Sequence, residues 1–139
     1  MIYAVIDTNV LVSALITHNS LSATAMVVRS LLDGDFTPLY DNNIIEEYQE
    51  VLHRAKFKIL PGVADALISY IRVYGIETLR TAYLESMPDE DDRLFYEVSL
   101  SVDDSYLITG NIKHYPKTSK VISPSDFLEL IKPQAEDAF

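Results

Sequence analysis

Residues Ile2–Ile6, Ile-Tyr-Ala-Val-Ile, form a nearly unbroken apolar run that stops abruptly at Asp7. A half-exposed strand would alternate apolar and polar residues, whereas a short continuous run fits a strand buried on both faces of a parallel sheet. The pattern recurs at Ser105–Thr109, Ser-Tyr-Leu-Ile-Thr, which ends at Gly110-Asn111. Further strands are predicted at Phe36–Tyr40, at Glu77–Leu84 on an edge, and at Lys120–Ser123. Helical segments separate them: Val10–Ile16, Ser22–Leu32 with Ser22 as N-cap, Asn42–Ala55 capped by Asp41, and the stretch after Pro61-Gly62 through Tyr74. Two more are predicted, one following Pro88–Asp92 through Val102 and one over Pro124–Leu130. Strands alternating with helices imply an α/β layered fold around a mostly parallel sheet. In such folds ligands bind beyond the carboxyl ends of the strands, the edge that Asp7 and Asn111 would share.

The 139 residues suit one domain, read here as residues 1–132 with a frayed tail at 133–139. A hydrophobic content of 48% supplies a core without cysteine, which excludes disulfides, thiolate metal sites and cysteine nucleophiles. The amino terminus lacks the form of a signal peptide, and no apolar run approaches the ~20 residues of a membrane span. A cytoplasmic location without membrane association is the expectation.

Formal charge is −10, which argues against a broad basic surface for non-specific nucleic-acid binding. Much of the excess is local. Glu85, Asp89, Glu90, Asp91, Asp92, Glu97, Asp103 and Asp104 face Arg93 alone within residues 85–104. Two short basic stretches, His53–Lys58 and Lys113–Lys117 with Lys120, interleave cations with an aromatic residue as contacts to phosphates and bases do. Each also has an ordinary reading, as a helix end complementing its dipole and as a surface loop.

Within Asn42–Ala55 the residues Ile44, Ile45, Tyr48, Val51, Leu52 and Ala55 share one arc. Glu47 falls on its shoulder, while Glu46, Gln49 and Glu50 point away. Four oxygen-bearing side chains can then meet at the sheet edge: Asp7, Glu47, Asp92 or Asp91, and Asn111. Taken singly they are turn residues, a helix-surface acid and an N-cap. Together their carboxylates would repel unless protonated or neutralised by a cation, and Mg²⁺ or Mn²⁺ prefers such hard oxygen donors. That arrangement suits hydrolysis of phosphodiesters. Asp104 is set aside because it begins the strand ending at Thr109, roughly 16 Å from that edge. His18, His53 and His114 lack ligand spacing, so solvated or phosphate-contacting roles are expected of them.

The opening strand with Asp7-Thr8-Asn9-Val10-Leu11, the acidic Pro88-Asp89-Glu90-Asp91-Asp92, and the closing Tyr106-Leu107-Ile108-Thr109-Gly110-Asn111 resemble the PIN-domain nucleases in order and over nearly the whole chain. The resemblance implies a three-layer α/β/α sandwich with a parallel sheet. It aligns Asp7, Glu47 and Asp92 with the family's metal-binding catalytic acids, and Thr8, Asn9 and Thr109 with the polar residues supporting them. Asp91 then takes a supporting place beside Asp92. Asn111 stands where many members carry a fourth acid; it can ligate through its carbonyl but brings no charge. The motif Thr109-Gly110-Asn111-Ile112-Lys113-His114 resembles a variant found in a toxin-like branch. The resemblance thus implies a Mg²⁺- or Mn²⁺-dependent ribonuclease, many prokaryotic members being toxins paired with an antitoxin protein and dimers being common. Lys113, His114 and Lys117 are the residues expected to steer RNA toward the acidic edge. Two other readings exist: a receiver-like signalling domain, disfavoured because Asp7 is flanked by Ile6 and Thr8 rather than by a second acid, and a partner-binding domain without turnover.

Overall fold

The computed structural model describes residues 1–132, so the tail expected at 133–139 lies outside the described residues. The chain runs β1 (Tyr3–Ile6), α1 (Thr8–Ile16), α2 (Ala23–Leu32), β2 (Thr37–Tyr40), α3 (Asn42–Leu52), α4 (Pro61–Tyr74), β3 (Ile76–Glu77), α5 (Arg93–Leu100), β4 (Tyr106–Ile108), β5 (Val121–Ile122) and α6 (Pro124–Ile131). Short 3₁₀ turns lie at Ala55–Phe57, Glu90–Asp92 and Ile112–His114. The five strands are parallel in the order β3-β2-β1-β4-β5, with Ala4 opposite both Pro38 and Tyr106.

The connections from β1 to β2 and from β2 to β3 move outward across the sheet, and the one from β3 to β4 comes back past β1. Right-handed crossovers running in opposite directions set their helices on opposite faces, which yields the three α/β/α layers. Helix α5 packs across β1, β2 and β4, while α2 packs on α1 and α6. The two central strands explain why their runs are apolar throughout: Ala4, Val5, Ile6, Leu107 and Ile108 are fully buried.

Local chemistry sets the boundaries. Asp7, Ser22, Asp41 and Ser123 each accept a backbone N–H as N-cap of the helix that follows. Gly75 ends α4 where a Cβ would collide with the carbonyls of Ile71 and Pro38, so only glycine lets β3 enter beside β2. The edge strand expected over Glu77–Leu84 is two residues, Ile76–Glu77; beyond it Arg80 pairs with Asp41 (3.1 Å) and Glu97 (3.6 Å) and holds the segment by side chains instead. Helix α3 stops at Leu52, before the expected Ala55, because the chain tightens into the 3₁₀ turn, and α5 stops at Leu100. No helix among the described residues is long and apolar enough to cross a membrane.

Candidate active site

Strand order reverses between β1 and β4, and the crevice this leaves beyond their carboxyl ends is the place where open α/β sheets bind ligands. A groove of about 680 Å³ opens there, lined on one side by α1 (Thr8, Asn9, Val12, Ser13, Ile16) and on another by Glu47 and Val51 of α3 and by Arg54 just past its end. Asp89, Asp91, Asp92, Asn111 and His114 close its acidic end, over Asp7.

Asp7 is only 4% exposed. Its Oδ2 accepts from Thr109 Oγ1 (2.9 Å) and from the Tyr115 hydroxyl (2.8 Å), and its Oδ1 from the Asn9 backbone N–H at a longer 3.3 Å. One oxygen is thus held by two hydroxyls and the other, weakly engaged, belongs to the groove wall. Burial lifts the Asp7 carboxyl above the usual aspartate range against the pull of these hydrogen bonds. The Tyr115 phenol, itself buried beside Asp7 and Asp92, is pushed far above its ordinary range and therefore remains a donor.

Glu47 comes from α3, whose Tyr48 anchors the helix by donating to the Ile6 carbonyl at the end of β1. Thr8 donates to Glu47 Oε2 (3.2 Å). Burial, and then the charge of Asp7, raise the Glu47 carboxyl. Asp92 is raised to about 6, again by burial first and by Asp7 second. Neutralisation elsewhere in the acidic run is selective. Arg93 pairs with Glu90 (2.7 Å), which falls to about 2, and with Glu97 (3.8 Å). No arginine or lysine among the described residues pairs with Asp7, Glu47 or Asp92.

The expected residues fall into three groups. Asp7, Glu47, Asp92 and Asn111 all line the groove, as do Thr8, Asn9 and Asp91, while Thr109 is fully buried beneath Asp7. Asp91 and Asp92, which periodicity does not separate, differ: Asp91 is exposed, whereas Asp92 turns inward to His114. Asn111 is exposed, and its backbone N–H donates to Thr109 Oγ1. Lys113 and Lys117 are exposed and outside the groove lining. Lys120 departs from the phosphate-contact pattern of its stretch, since its ammonium is enclosed by backbone carbonyls.

His114 requires a correction. The 3₁₀ turn Ile112–His114 folds it back to the edge, where Nδ1 lies 3.0 Å from Asp92 Oδ2 and 3.5 Å from Asp89 Oδ2. These three residues offer ligand atoms within 4.8 Å of one another, so a histidine set aside on sequence spacing belongs to a cluster with the geometry to hold a cation. Asp89 and Tyr115 are the groups that sequence reasoning did not single out. The only signal was proximity to the motifs, Asp89 within the acidic run and Tyr115 four residues after Asn111, because both contacts depend on how the loops close.

The donor set fits a divalent ion. Three carboxylates raised above their ordinary ranges share one groove with an amide carbonyl and an imidazole, and among the described residues no lysine or arginine pairs with any of the three. Comparison with curated proteins and with solved structures returned no match. A family model described as PIN domain matches residues 3–113, from the start of β1 through β4 and past Asn111. The chain therefore belongs to the PIN-domain family, whose members are generally nucleases.

Proposed function

We propose that the protein is a metal-dependent endoribonuclease. The observation that carries this reading is the convergence of Asp7, Glu47 and Asp92 in one groove, all three raised above their ordinary ranges, with no lysine or arginine to neutralise them. Asp7, Glu47 and Asp92 would hold Mg²⁺ or Mn²⁺, with the Asn111 carbonyl as a neutral ligand and the Asp89–His114 side open to the same ion or a second. When bound, such an ion activates water and stabilises charge gathering on the phosphate. The chain's own residues do the rest. Thr109 and Tyr115 fix the Asp7 carboxylate, Thr8 orients Glu47, and Asn9 ties α1 to the β4 edge by accepting from Gly110 N–H (3.4 Å). Lys113 and Lys117, exposed beside this acidic mouth, would offset its repulsion toward an incoming phosphodiester.

In the cell we take the protein to be the cytoplasmic toxin of a toxin–antitoxin pair, acting as one domain over residues 1–132 and capable of homodimer formation. The decisive experiment is RNA cleavage with Mg²⁺ or Mn²⁺ by wild type and Asp7→Asn. Loss with either chelator or substitution supports the reading; equal cleavage in excess chelator removes it. Growth arrest on induction of wild type but not of Asp7→Asn would support the toxin role, and arrest by both would refute it. Asn111 favours a second reading, a binding domain without turnover, because it brings no charge to the fourth ligand position. Calorimetric Mn²⁺ binding without RNA cleavage would select it.

A further inference from the structure

The groove does not end at the acids. On the groove wall Glu47 and Val51 stand one turn apart on α3, and past the end of that helix Arg54, which precedes the 3₁₀ turn Ala55–Phe57, and Phe57 within it continue the same wall. Lys58, in the left-handed region at φ 55, closes that turn and sends the chain away. Leu52, the last residue of α3, lies about 7.5 Å along the axis from Glu47 at 1.5 Å per residue, and Arg54 follows it, on the groove wall with the carboxylates. Its Nε and Nη2 are held by the Glu50 carboxylate at 3.1 and 2.7 Å, which fixes the guanidinium and leaves Nη1 free of that pair. Lys56 Nζ lies over the Phe57 ring, 5.1 Å from its centroid, so a second cation covers one face of the ring and a stacked base would take the other face or displace this exposed side chain.

We propose that Arg54 and Phe57 form a nucleotide-binding subsite, with the base of an unpaired nucleotide flanking the scissile phosphate stacked on Phe57 and a backbone phosphate on Arg54, supported by Lys56. A flat apolar ring beside fixed positive charge is the combination that binds single strands, because every base has a face to stack and every nucleotide a phosphate to pair. A duplex keeps its bases within its own stack and has none to offer the ring. The neighbouring histidine does not join the subsite: His53 is engaged with the Gln49 carbonyl (2.7 Å) and Asp65 (2.8 Å), tying α3 to α4. The subsite gives the strand a hold at the end of the groove where charge attracts it, away from the end where charge repels it. This rests on the nuclease reading for its place in a reaction, though not for its ability to bind.

The test uses the full chain with a short fluorescein-labelled single-stranded RNA of mixed sequence, following binding by anisotropy with chelator present and cleavage with Mn²⁺. Phe57→Leu keeps apolar volume but loses the ring face, and is expected to raise both Kd and KM roughly 5-fold or more with kcat little changed. Phe57→Tyr should restore both to within about 2-fold of wild type. Arg54→Gln should reduce the slope of log affinity against log salt by about 1. Unlabelled duplex RNA of the same sequence should compete poorly with the single strand. Should Phe57→Leu leave Kd and KM unchanged while wild type cleaves, the subsite is overturned, the nuclease reading stands, and the wall is open to a protein partner instead. Binding that depends on Phe57 and Arg54 by a wild-type protein that cleaves nothing would uphold the subsite and defeat the nuclease reading.

Discussion

Two charged side chains withdrawn from water stand at opposite ends of strand β4 and meet opposite treatment. At its start, the Lys120 ammonium donates to the Ser105 carbonyl (2.7 Å), the Ser99 carbonyl (3.0 Å) and Ser105 Oγ (3.0 Å), and burial lowers its basicity against the smaller opposing pull of Asp103 and Asp104. Its donors are consumed in closing the turn between α5 and β4. At the far end Asp7 is more deeply buried, receives hydroxyls on one oxygen, and faces Glu47 and Asp92 instead of a cation. Burying a charge is costly unless it is paired. The fold encloses the Lys120 ammonium in acceptors yet leaves three acids without a lysine or arginine partner, which fits them to receive a cation. The Lys120 end is architecture.

Substitutions at the two ends should separate the roles. The largest effect is expected from Asp7→Asn, which should lower Mn²⁺-dependent RNA cleavage by at least about 100-fold, since even groups that merely support a metal ligand are worth roughly 10–100-fold. Unchanged cleavage would place Asp7 with Lys120 as a structural charge.

Adding Mn²⁺ at about 100 times its Kd should stabilise wild type by about 2.7 kcal/mol, several degrees in Tm, and should not stabilise Asp7→Asn. The pH dependence sharpens this. Asp7, Glu47 and Asp92 hold protons more tightly when folded, so between the ordinary aspartate value of 3.8 and the folded value of about 6 for Asp92 the native state binds more protons than the unfolded chain. Stability of the metal-free protein should therefore fall as pH rises through that window, and the gain from Mn²⁺ should be larger above it than below. Thermal melts across that range, with and without the ion, check both signs; a metal-free Tm that climbs with pH there would contradict the picture of unneutralised acids.

Tyr115→Phe removes one donor to Asp7 while keeping the ring, and is expected to weaken Mn²⁺ affinity by about 10-fold, measured by calorimetry, with the fold intact. The smallest change belongs to the other end. Lys120→Met should cost about 1 kcal/mol in denaturant unfolding, a low value because the ammonium is only half-buried, and should leave cleavage per folded molecule as it was. A loss of cleavage there would mean that the two ends of β4 are coupled.

What the sequence made legible was what local pattern controls. The apolar runs at Ile2–Ile6 and Ser105–Thr109 mark central parallel strands, and a residue directly after such a strand must stand at its carboxyl edge, which locates Asp7 and Asn111. Glu47 was placed by helical periodicity, which the hydrophobic arc of α3 makes strong. Periodicity failed where a 3₁₀ turn or a loop decides the direction of a side chain, as with Asp91 against Asp92, or His114 against Lys113. The edge strand expected over Glu77–Leu84 is another case, since beyond Glu77 the Arg80 ion pairs to Asp41 and Glu97 define the path. Tyr115 was out of reach because its hydroxyl meets a residue 108 positions earlier, a contact that tertiary closure alone creates.

That long-range tie has a consequence for how the protein comes into being. The carboxylate of Asp7 is synthesised before the two hydroxyls that aim it, which arrive 102 and 108 positions later. A growing chain therefore carries that acid unassembled until β4 and the segment after it have been made and docked, so the groove takes its shape late in folding.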